Sequence, residues 1–344
     1  MSEFDTQIRS LVAEVVRDTR ESTGAGTGFE TDLWRHLQEL ALVRIGIEES
    51  QGGSGGCLAD LVNVTAALGQ AGVSVPFIEV AVADWIRATA GPLGEPGLCT
   101  LALDADLELD GAVVSGTLNR VPWARHAEAV VALGVDGQPF VVELTPATSR
   151  IEQSENLAEE ACDTIVLSGA YVTPLPADAP RRAEIVARHA LLQAAALIGA
   201  CHGAFAMTKE HVRTREQFGK PLIALPAVTR HIALMRIYLV QAEAALERAE
   251  AQVSAGVAES GDAVAVARTL AAQVGTLVAR TAHQLHGAIG TTAEFGLHRY
   301  STRLWAWRDS GRSEATWTQE LGRRALESGE EGLWESLTAA TPVA

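Results

Sequence analysis

Two clusters in the C-terminal half of the sequence gather residue types that can seat a phosphate-bearing ligand or admit its close approach. Arg215-Glu216-Gln217-Phe218-Gly219-Lys220-Pro221 combines a guanidinium, an amide, an aromatic ring and a turn glycine. A helix-end arginine with free backbone groups is a sensible seat for a phosphate or pyrophosphate, and equally a cap bearing a solvated charge. The second cluster is Gln284-Leu285-His286-Gly287-Ala288-Ile289-Gly290-Thr291-Thr292-Ala293-Glu294. Its glycines break a long helical pattern, which suits close backbone approach to a ligand or a tight packing turn.

Other constellations read as structure. His283 and His286 lie three apart on one helical face, but a zinc site needs a third ligand, and only Glu294 or His298 is at hand. They are expected to be a helix-terminal pair with polar contacts and no metal. Gly52-Gly53-Ser54-Gly55-Gly56 has the form of a nucleophile elbow, yet polar Glu48-Glu49-Ser50-Gln51 stands where a buried strand is required, so it reads as a loop. Gly24-Ala25-Gly26-Thr27-Gly28 resembles a phosphate loop without the strand that should precede it.

The elements that must position these residues fall into three zones of an α+β chain. Residues 1–95 read as an N-terminal helical domain. Phe4, Ile8, Leu11, Val12, Val15 and Val16 keep a helical period, Leu33 to Leu42 form a second helix with Asp32 as N-cap, and further helices cover Leu58–Leu68 and Pro76–Thr89. Residues 96–180 read as an antiparallel β-domain, with apolar runs at 98–103, 112–116, 129–133 and 140–144 separated by Asp110-Gly111 and Asp136-Gly137 turns. A proline-rich linker from Pro174 to Pro180 follows. Residues 181–344 read as a four-helix-bundle-like domain: long helices from Ile185 to Arg215, Ala227 to Gly256 and Asp262 to His286, then shorter ones after Gly296 and Gly311.

Composition bounds the function. The 344 residues carry 43 acidic and 27 basic side chains, a net charge of −16, which opposes binding to nucleic acid or an anionic membrane. Hydrophobic residues reach 47% but aromatics only 5%, so the core rests on Ala, Leu and Val and favours close helix packing. The start of the chain lacks a basic, apolar leader pattern, the apolar run Ala190–Ala200 is too short to span a bilayer, and Cys57, Cys99, Cys162 and Cys201 lie far apart. A cytoplasmic protein with reduced, core-packed cysteines is expected.

With both clusters in this order behind an α-then-β layout, the sequence resembles the acyl-CoA dehydrogenase family over nearly its whole length. Glu48-Glu49-Ser50-Gln51-Gly52-Gly53 is similar to the family's P-E-x-x-G-G loop, and Asp110 to Gly116 to its D-G-y-x-x-x-G strand. R-x-x-F-G and Q-x-x-G-x-x-G are its specific motifs. The resemblance implies the acyl-CoA dehydrogenase fold, FAD as cofactor, an acyl-CoA substrate oxidised to its 2,3-enoyl form, and electron-transfer flavoprotein as electron acceptor. It places Arg215, Gln217, Phe218, Gln284, Gly287 and Ala288 (where a second glycine is usual) on the adenine and pyrophosphate side of a neighbouring subunit's FAD.

The flavin-ring half departs from the family pattern. No T-E-P-x-x-G-S-D precedes the strands, and Pro122-Trp123-Ala124-Arg125-His126-Ala127 stands in place of W-x-T-N. The usual seat of the base falls at Ser310-Gly311, where Glu314 is the nearest carboxylate; an alternative seat falls near His189, with Glu184 on the same helix. Such a chain resembles the truncated subunits of bacterial heteromeric (α2β2) acyl-CoA dehydrogenases acting on steroid thioesters, which implies a related partner subunit in a heterotetramer. A self-sufficient homo-oligomer using Glu314, or a scaffold without FAD, are the alternatives.

Overall fold

The computed structural model describes residues 3–23, 28–256 and 260–338. In chain order the elements are α1 (Glu3–Thr23), α2 (Thr31–Glu39), α3 (Leu58–Ala71), α4 (Phe77–Arg87), β1 (Cys99–Leu101), β2 (Ala105–Asp110), β3 (Val113–Pro122), β4 (Ala129–Leu133), β5 (Pro139–Glu143), β6 (Ser149–Glu152), β7 (Cys162–Pro174), α5 (Arg182–Thr214), β8 (Glu216–Gln217), β9 (Lys220–Pro221), α6 (Pro226–Ser254), α7 (Ser260–His286), α8 (His298–Arg308) and α9 (Glu314–Thr338). The α+β order expected from the sequence is the order observed. Two compact units result: the chain up to Val64 with Val73–His189, and Thr65–Gly72 with the chain from Ala190 onward.

In the first unit, α1 buries Ile8, Val12, Val16 and Thr19, a stripe one turn apart. Helix α2 starts two residues earlier than expected. Its N-cap is Glu30, whose carboxylate is taken by Arg20, while Asp32 lies inside the first turn and pairs with Arg35. The sheet runs β1-β4-β5-β7-β3-β2, with β6 added on β7. Most pairs are antiparallel, but β1 and β4 are parallel, because the β2–β3 hairpin intervenes before the chain returns beside β1. Val114, Leu118, Val121, Val130, Phe140, Val142, Ile165 and Leu167 fill the sheet's buried side.

Three strands escaped the sequence reading. In β2, Leu107 and Leu109 alternate with Asp106, Glu108 and Asp110, and every residue is at least partly exposed, so no apolar run marks it. Strand β6 is similarly half-buried, while β7 alternates buried Asp163, Ile165 and Leu167 with partly exposed neighbours.

In the second unit, Ala190 to Cys201 of α5 are all buried, as expected for a helix surrounded by others. Close approach is possible because a Cβ on Gly199 would stand 2.0 Å from the Ala66 carbonyl oxygen of α3. Helix α6 buries Met235, Leu239, Ala242, Leu246 and Ala249 at alternating steps of four and three, the narrow seam of a bundle helix. Residues 182–214 and 261–291 are long and apolar enough to cross a membrane by length and composition, more than the Ala190–Ala200 run suggested. However, 78% and 67% of their most apolar windows are buried inside the fold. Helix α9, expected to be short, extends 25 residues across a kink at Gly329. All four cysteines are free; contrary to expectation Cys57 is exposed, while burial raises the Cys99 thiol to about 12.

Candidate functional site

The Arg215 cluster is a tight hairpin at the end of α5. The Arg215 amide donates to the His211 carbonyl at 2.8 Å, and the Leu222 amide donates to the Arg215 carbonyl at 2.8 Å. Gln217 pairs with Lys220 across a two-residue turn in which Phe218 has φ 54° and Gly219 φ 76°. Left-handed φ at both central residues matches the twist of a hairpin, but only glycine adopts it freely. A phenylalanine held there costs about 1–3 kcal/mol, and its ring is 87% exposed. Packing within the chain does not account for that ring. The Arg215, Gln217 and Gln284 side chains are exposed, and no described residue takes their polar groups.

The second cluster begins where α7 ends. Gly287 has φ 61°, and a Cβ placed on it would meet nothing within 4 Å, so the backbone is open on that side; Ala288 is exposed as well. The two clusters are neighbours because the rings of His211 and His286 stack, with centroids 4.3 Å apart, and Phe295 meets both edge-on. His286 Nδ1 donates to the Ala282 carbonyl at 2.7 Å. His283 turns elsewhere: its Nε2 is 2.9 Å from Ser301 Oγ and its ring stacks on Trp305. The histidines are thus a helix-terminal pair with separate contacts. Among the described residues no group of three or more His, Cys, Asp or Glu is placed to hold a metal ion.

The turn between α8 and α9, where a base is expected, is organised by a residue that sequence reasoning missed. Arg268 of α7 is fully buried, and its Nη2 donates to the carbonyls of Trp307 (2.7 Å), Arg308 (2.9 Å) and Ser310 (3.4 Å). Its Nε donates to Gln193 Oε1 at 3.3 Å. One cation thereby satisfies the last carbonyls of α8, at the negative end of its dipole. Burial pushes the Arg268 guanidinium down to about 10, against the opposing charges of Asp309 and Glu314. Glu314 is the first residue of α9, half-buried behind its N-cap Ser313, whose Oγ accepts from the Thr316 amide. The sequence signal for Arg268 was a lone cation inside Ala263 to Ala272, an otherwise nearly apolar run.

The alternative base seat is filled differently. The Glu184 carboxylate accepts from the Arg181 amide at 2.8 Å, closing the start of α5 as an exposed cap. His189 is buried, with Nε2 3.9 Å from Glu79 Oε1. Beside it, buried Arg188 lies 4.5 Å over the Trp85 ring, its guanidinium pushed down to about 10 by burial alone.

In the first unit, the Pro122–Ala127 turn is closed. Trp123 is 5% exposed, with its ring 5.5 Å from Phe29 and 6.3 Å from His126, while Phe29 and His126 approach to 4.8 Å. The turn is anchored by Asp163, fully buried, which accepts from the Arg125 amide (2.9 Å) and from Arg125 Nη2 (2.7 Å). The Gly52–Gly56 segment is a loop, in which Ser54 Oγ donates to the Ala41 carbonyl. Of the Gly24–Gly28 segment, residues 24–27 lie outside the described residues.

Residues 184–313 match the family described as acyl-CoA dehydrogenase, C-terminal domain. The acyl-CoA dehydrogenase IpdE2 of Mycobacterium tuberculosis is 27% identical over 96% of this chain and 96% of its own length. FadE27 of the same organism, also named an acyl-CoA dehydrogenase, is 27% identical over 79% of this chain and 82% of its own. Among solved structures, the ChsE4-ChsE5 complex from Mycobacterium tuberculosis superposes with a TM-score of 0.85 at 23% identity, covering 96% of this chain and 99% of the other. A variant of the Tcur3481-Tcur3483 steroid ACAD gives 0.85 at 23% identity, over 95% and 98%. The fold is that of the acyl-CoA dehydrogenases, and residues 184–313 are similar to that family's C-terminal domain.

Proposed function

We propose that this chain is the partner subunit of a heteromeric acyl-CoA dehydrogenase, lending the adenine and pyrophosphate side of an FAD site whose ring side belongs to a related chain. The observation that carries the reading is the contrast between the two halves. Arg215, Gln217, Phe218, Gln284, Gly287 and Ala288 are exposed, and the polar groups among them are uncommitted. The Trp123 ring, which stands in place of the family's flavin-side motif, is instead buried against Phe29 and His126.

The open half fits its ligand. Arg215 offers a cation to a diphosphate, Gln217 and Gln284 offer amides, Phe218 offers a ring face, and Gly287 admits the close approach of a backbone. When bound, FAD supplies the two-electron acceptor for α,β-dehydrogenation of an acyl-CoA thioester. The closed half does not fit, so this chain's task is to bind and orient. Proton abstraction then falls to the partner rather than to Glu314. The names of the superposing structures, a steroid ACAD and a two-component complex, support a steroid-type thioester and a heterotetramer. Electron-transfer flavoprotein is the proposed acceptor for the reduced cofactor.

The test is the flavin spectrum of the chain expressed alone and with a related partner. Alone it should carry no FAD, and together the two should carry it stoichiometrically. Stoichiometric FAD in the isolated chain would mean a self-sufficient enzyme. No FAD in the complex would leave a scaffold.

A further inference from the structure

We propose that the His211–His286 stack is a positioning device: with both rings neutral it holds the Arg215–Gly219 and Gln284–Ala288 segments in one arrangement, and acidification releases them. Only the naming of those segments as ligand-facing rests on the proposed function; the stack itself is a matter of geometry. His211 lies four residues before Arg215, and His286 lies between Gln284 and Gly287. Their contact therefore joins the two clusters directly.

Neutrality follows from the surroundings. His286 is 6% exposed, and because its Nδ1 donates to a carbonyl, its Nε2 carries the lone pair. That Nε2 is buried with no hydrogen-bond partner. A proton added there would create a cation with no acceptor within reach. The charged or titratable groups facing the pair are Arg215 on the α5 side and His283 on the α7 side, both basic, while Phe295 closes the remaining side. Burial lowers both imidazoles from the ordinary histidine value, and these neighbours lower them further, against the Ala282 carbonyl, which raises His286. A histidine lowered in the fold binds fewer protons folded than unfolded. Its stabilisation is complete above about pH 6.5 and is lost as the pH falls below that value.

The experiment compares wild type with H211F, which keeps a ring on His286 but removes the His211 proton. Melting of the full chain alone and FAD affinity of the assembled complex are followed from pH 7.5 to 5.5. Wild type should lose about 2–4 °C more than H211F. Its FAD Kd should rise by up to about tenfold more than that of H211F, the most that the one extra linked proton changes an equilibrium over the decade below about pH 6.5, while H211F keeps only the dependence due to His286. Identical pH profiles for the two proteins would overturn the proposal, as would a melting effect without any change in FAD affinity. A complex without FAD at any pH would refute the shared-site reading, and the melting comparison alone would then decide the stack. If H211F does not fold, the wild-type imidazole NMR titration decides: ordinary, independent histidine values would overturn it.

Discussion

Arg268 carries a guanidinium into a stretch of α7 built largely from Ala, Val and Leu, and the carbonyls of Trp307, Arg308 and Ser310 make that tolerable. Hydrogen bonds to a charged group contribute about 1.5–3 kcal/mol, and an acceptor left bare in the interior costs a comparable amount. R268K keeps the charge but not the fork, and R268M removes both. We expect a loss of about 1–3 kcal/mol for R268K and more for R268M, read from urea unfolding of the chain alone. Asp163 makes a second test at this scale. Burial opposes its ionisation, but the bonds from Arg125 and the Ser154 amide outweigh burial and hold the carboxyl below its ordinary value. Its stabilisation is therefore present above about pH 3.9 and lost as the pH falls through the folded value. D163N leaves Arg125 without its buried partner, and a cost of about 3–5 kcal/mol is expected, with a flatter acid-unfolding profile than wild type.

Elements made of strong periodic patterns were legible, and those made of partners were not. Helices α5, α6 and α7 follow from their long runs of Ala and Leu, and the ends of α5 and α7 carry the two motif clusters. Strand β2 was illegible because acidic residues alternate with its leucines, and β1–β4 is parallel only because of how the chain returns. The Arg268 clamp and the His211 stack join residues 75 apart in sequence, Gln193 with Arg268 and His211 with His286, which no local pattern records. The packing of α3 on α5 is likewise tertiary. G199A would place a methyl carbon into the Ala66 carbonyl, and the helices would have to separate. Overpacking of this kind costs about 1–3 kcal/mol, so melting should fall even though alanine is the better helix former. An unchanged or raised Tm for G199A would show that the crossing has room for a methyl group.

For the molecule as a whole, the net charge of −16 and the uncovered apolar surface pull in opposite directions. Self-association would bring two strongly acidic bodies together, which repulsion opposes, most of all at low salt. Yet α6 presents Ile237 and Val240 to solvent at 51% and 45% exposure, on the side away from its buried seam, with Tyr238 flanking the seam at 38%. On the proposed reading a related, less acidic chain would cover that face, and it would be the same partner that completes the FAD site. I237D adds a charge to that face without touching the fold. Exposed substitutions of this kind change stability by about 0.5 kcal/mol or less, so the isolated chain should melt as wild type does. In co-expression the partner should no longer co-purify, and the flavin spectrum should vanish with it. Retention of the partner by I237D would move the interface off α6, while loss of FAD with the partner still bound would place Ile237 in the cofactor site instead.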